Sequence, residues 1–144
     1  MASSFEQLGA RIEAGWFEAN YRESSFSDIC VRALEEMSPP NTMGADAILA
    51  WAFARRRLPR QVDIDSDFGE PALTVFDGER FHISVYFWMD GTTDIHEHCF
   101  SGAFQVLEGA SLHTTFSFEP KETWSDHLLL GEVDPVVWTT RGTS

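Results

Sequence analysis

The hydrophobic pattern of the chain changes period at Pro59, and this change constrains the fold more than any other feature. Before Pro59 apolar residues recur at helical spacing; after it they alternate or cluster in short runs rich in Val, Thr and aromatic residues. Phe5, Leu8, Ile12 and Trp16 are spaced by three, four and four, which puts them on one stripe of a helix. A second helix is expected over SFSDICVRALEEM, with Ser25 and Asp28 placed as a shortened capping box. Pro39-Pro40 ends it, because proline cannot extend the hydrogen-bond ladder and restricts the residue before it. A third helix is expected from about Ala45 to Arg57, its last turn carrying Arg55, Arg56 and Arg57 against the negative end of the helix dipole.

From about Leu73 the signals are those of antiparallel strands. ALTVF and RFHISVYFWM flank a turn at Asp77-Gly78, and further strands are expected over DIHEHCF, AFQVLEG, SLHTTFSF, DHLLLGEV and PVVWTT. Short strands punctuated by Gly and Pro predict a barrel or a sandwich. The expected division is a helical segment and linker over 1–66 and a β domain over 67–144. With 144 residues, twelve Phe and five Trp, the chain is long enough and apolar enough to bury a real core.

Composition excludes several functions. A formal charge of −13 repels the phosphates of nucleic acid and the surface of an anionic membrane. Two cysteines, Cys30 and Cys99, make no disulfide framework, and no Cys-x-x-Cys is present. No apolar run approaches the roughly 20 residues that span a bilayer, and the first residues are polar throughout. A cytoplasmic protein is expected.

Chemistry gathers where histidines sit on strands. If DIHEHCF is a regular strand, Asp94, His96, His98 and Phe100 share one face, and Ile95, Glu97 and Cys99 the other. Imidazoles two residues apart stand about 6–7 Å apart at Cα, close enough to reach one metal ion. On the preceding strand His82, Ser84, Tyr86 and Trp88 oppose Phe81, Ile83, Val85 and Phe87; on a later one Ser111, His113, Thr115 and Ser117 oppose Leu112, Thr114, Phe116 and Phe118. Two arrangements fit this parity. The polar faces line a small barrel, or they form the wet side of an ordinary sheet.

The stretch from Gly91 through His96-x-His98 to Gly109 resembles the first motif of the cupin superfamily. The run Trp88, Gly91, Ile95, His96, His98, Ser101, Phe104, Leu107, Gly109 is most similar to the cysteine dioxygenase-like branch, and the resemblance covers Trp88 to Phe118. Gly102 stands where most cupins carry a glutamate; in that branch three histidines hold iron without a carboxylate. The resemblance implies a mainly β fold, a cupin-like antiparallel β-barrel behind an N-terminal helical segment, either complete or lacking its final strands. It implies His96 and His98 as ligands of one divalent transition metal, Fe(II) first among the ions. The corresponding activity is that of a dioxygenase-like oxidoreductase acting on a small thiol or carboxylate. The alternative is a non-catalytic cupin-like module that binds a small ligand or serves a structural role.

The family's third histidine belongs to a later motif that has no counterpart before Ser144. Either the sequence is part of a longer barrel, or it is a short, divergent cupin that recruits another ligand or has lost the metal. His82 and His113 have the right parity, ahead of His127 and Asp94. Tyr86 and Trp88 are placed to wall a substrate pocket, while Cys99 and Cys30 read as buried thiols. Strand edges left open by a missing part of the barrel are expected to favour a homodimer.

Overall fold

A computed structural model describes residues 2–37, 43–62, 72–88, 95–96 and 100–142. They belong to two compact units, Met1–Leu107 and Glu108–Ser144. The first contains α1 (Ala2–Glu18), α2 (Phe26–Met37), α3 (Ala45–Phe53), β1 (Ala72–Asp77) and β2 (His82–Tyr86), with a 3-10 turn at Glu23–Ser25 ahead of α2. The second is one long hairpin of β3 (Ala110–Ser125) and β4 (Leu128–Gly142). None of the helices is long and apolar enough to cross a membrane.

The stripe read from the sequence organises the first unit. Phe5, Leu8 and Ile12 are buried, and α1 divides them between two clusters. Phe5 packs with Met43, Ile48, Trp51, Leu73 and Val75, joining α1 to α3 and β1. Leu8 and Ile12 pack with Phe26, Ile29, Cys30 and Ala33 of α2, with Trp16 half-buried at the margin. Ile83 of β2 lies against both clusters. Each such side chain withdrawn from water contributes about 1.5–3 kcal/mol, so the helices and the β1–β2 hairpin are held as one body. Arg11 adds a two-pronged pair to Glu36 across α1 and α2 (2.9 and 3.1 Å).

Helix ends depart from expectation in two places. The hydroxyl of Ser25 donates to the Arg22 carbonyl (2.7 Å), inside the 3-10 turn, instead of joining Asp28 in a capping box. Helix α3 stops at Phe53, so Arg55, Arg56 and Arg57 lie beyond its last turn and do not cap the dipole. The chain leaves the helix ahead of Pro59, whose predecessor is disfavoured in helical conformation. Arg55 instead covers the Trp51 indole (4.7 Å to the ring centre) and pairs with Glu6 (3.7 Å), which ties α3 back to α1.

Strands β1 and β2 pair antiparallel from Ala72↔Tyr86 to Asp77↔His82, with a bulge between Thr74 and Phe76. The connection is the four residues Gly78–Phe81, closed by the Gly78 N–H on the Phe81 carbonyl (3.0 Å). Beside β1 the Gln61 side chain takes the place of a neighbouring strand. Its Oε1 accepts from the Thr74 N–H (2.9 Å), and its Nε2 donates to the Thr74 carbonyl (3.1 Å) and the Pro59 carbonyl (2.9 Å). Thr74 is 1% exposed, so these bonds satisfy backbone groups that water does not reach.

The mainly β, cupin-like barrel is overturned. Among the described residues there are three α-helices of 17, 12 and 9 residues and strands of 6, 5, 16 and 15, and the strands form two separate two-stranded sheets. Among the described residues no barrel closes. Two local causes are visible. In AFQVLEG, Ala103, Phe104, Val106 and Leu107 do not alternate, and residues 100–107 form no strand; instead Ala103 and Leu107 pack against the helical clusters. Further on, DHLLLGEV and PVVWTT merge into the single strand β4, because Pro120 and Pro135 each sit beside a register shift. Proline is tolerated at such bulges and on an edge, and in a two-stranded ribbon both strands are edges.

Candidate functional site

Strand β2 carries the expected parity. Ile83, Val85 and the following Phe87 pack into the core, while His82, Ser84 and Tyr86 alternate with them on the other face. Ser84 Oγ lies 3.4 Å from Thr74 Oγ1 on the neighbouring strand, so the two hydroxyls share a proton-bridged contact. Just past the strand the Trp88 ring stacks on Tyr86, centres 5.8 Å apart and planes within 14°. Tyr86 is half-buried and Trp88 exposed. These two predicted pocket residues are therefore brought together.

The described histidines stand on different segments of the chain. His82 is exposed at the end of β2 opposite Asp77, and Asp77 receives both Nε (3.0 Å) and Nη2 (3.3 Å) of Arg60. This pairing raises the Arg60 guanidinium above its ordinary range, the hydrogen bond to Asp77 being the main cause. His96 is exposed and outside any strand. Asp94, Glu97, His98 and Cys99 lie outside the described residues. His113 is on β3 of the other unit, opposite Thr139, and His127 is in the turn between β3 and β4, where its N–H donates to Ser125 Oγ (3.3 Å).

Among the described residues no three His, Cys, Asp or Glu side chains gather around a point that an ion could occupy. Imidazole nitrogens suit a divalent transition ion by type. Cys30 is a packing residue, and burial pushes its thiol up to about 11. The two described glycines of this stretch differ in what they need. Gly102 has open space around it, whereas Gly109, near the start of the second unit, adopts φ +81°, a left-handed conformation that favours glycine.

Strand β3 also carries the expected alternation. The register places Leu112, Phe116 and Phe118 on one side of the ribbon with Val133 and Leu129 of β4, and Ser111, His113, Thr115 and Ser117 on the other. Set against protein-family models, curated proteins and solved structures, the chain finds no significant match.

Proposed function

We propose that this chain is a metal-dependent oxidoreductase of the cytoplasm acting on a small polar molecule, a thiol or a carboxylate. His96 and His98 are the imidazole ligands of one divalent transition ion, and Fe(II) is the first ion to test. The observation that carries this function is the His-x-His pair, within a run from Trp88 to Phe118 that resembles cysteine dioxygenase-like proteins. A bound ion of this kind supplies Lewis-acid and redox capacity at coordination positions the protein leaves open. The chain's own contribution is a flat apolar wall, the Tyr86–Trp88 stack, against which the non-polar part of a small substrate is held. A small molecule and a second copy of the chain are its partners.

One observation favours a second function, a non-catalytic small-ligand-binding or structural module: Gly102 stands where most cupins carry a glutamate. The two are separated by loading the chain anaerobically with Fe(II), alongside a His96→Ala/His98→Ala variant, and measuring metal by mass spectrometry. Near-stoichiometric iron that the variant loses supports a metal site. Oxygen uptake with small thiols then supports the oxidoreductase, and its absence the module. Equal iron in both proteins, or none in either, refutes the metal site.

A further inference from the structure

We draw no further inference here: the strongest candidate, the exposed apolar surface of the β3–β4 hairpin, is divided between its two faces, with Leu129 and Val133 on one and Leu128 and Leu130 on the other, and nothing in the structure shows what covers either.

Discussion

Replacing Gln61 with alanine removes the side chain that, among the described residues, completes the edge of β1 away from β2. In the native chain Gln61 closes a pair of hydrogen bonds with both backbone groups of Thr74, at 2.9 and 3.1 Å, and a third with the Pro59 carbonyl. Thr74 is 1% exposed, so its N–H and C=O find no replacement without a local opening. An unsatisfied buried group costs about 1–3 kcal/mol. Two such groups, partly relieved by water entering where the glutamine stood, give a loss of about 2–4 kcal/mol. In a unit of this size that corresponds to a drop in Tm of roughly 10–20 °C. Urea unfolding should show a lower midpoint at unchanged slope, and hydrogen exchange should accelerate at the Thr74 amide. The Gln61→Glu variant sharpens the test. Its carboxylate still accepts from the Thr74 N–H but faces two carbonyls, so it should be worse at pH 7 than in mild acid, where protonation restores a donor. A loss below about 0.5 kcal/mol for Gln61→Ala, the range of an ordinary surface change, would refute the role given to this side chain.

Other consequences follow from the same packing. Gly9→Ala should destabilise the first unit by about 1–3 kcal/mol in thermal unfolding, despite the roughly 1 kcal/mol that alanine gains in a helix; a Cβ there would lie 2.5–2.6 Å from the Phe76 ring. Asn20 and Tyr21 end α1 at φ 52° and 53°. Asn20→Gly should therefore stabilise by about 0.5 kcal/mol, whereas Tyr21→Gly should destabilise, because it removes the ring that meets Trp16, Phe17 and Arg80. Cys30, buried and with its thiol raised to about 11, should resist a thiol reagent at pH 8 in the folded chain and react promptly in urea. The sign follows from burial, which disfavours the thiolate: it opens a window above the ordinary thiol range, up to about pH 11, where the unfolded chain ionises first and stability falls as pH rises.

Local periodicity was the part of the fold most legible in the sequence. The Phe5–Leu8–Ile12 stripe, the two faces of β2 and the two faces of β3 all occur as the spacing requires, because each depends only on the geometry of its own element. How elements associate was not legible. The barrel required each strand to find two neighbours, and alternation says nothing about partners; a two-stranded ribbon satisfies the same pattern. Helix ends failed for a related reason. Arg55 is better placed over Trp51 and beside Glu6 than in a last helical turn, and that preference comes from α1, far away in sequence. At the candidate site, strand parity put Tyr86 and Trp88 on one face, and their rings stack, a contact that parity alone does not specify. His82 and His113 shared that parity, yet belong to separate units, which no spacing rule could have revealed.

The central claim is that His96 and His98 bind one transition-metal ion through imidazole. Titration with Co(II), followed by visible absorption, tests it most directly, because the d–d bands of the ion report its ligands and geometry. The expected result is a saturable set of bands at one equivalent, distinct from those of the aquo ion and abolished by His96→Ala/His98→Ala. A spectrum that stays that of the aquo ion, or one that the double substitution leaves unchanged, would contradict the claim.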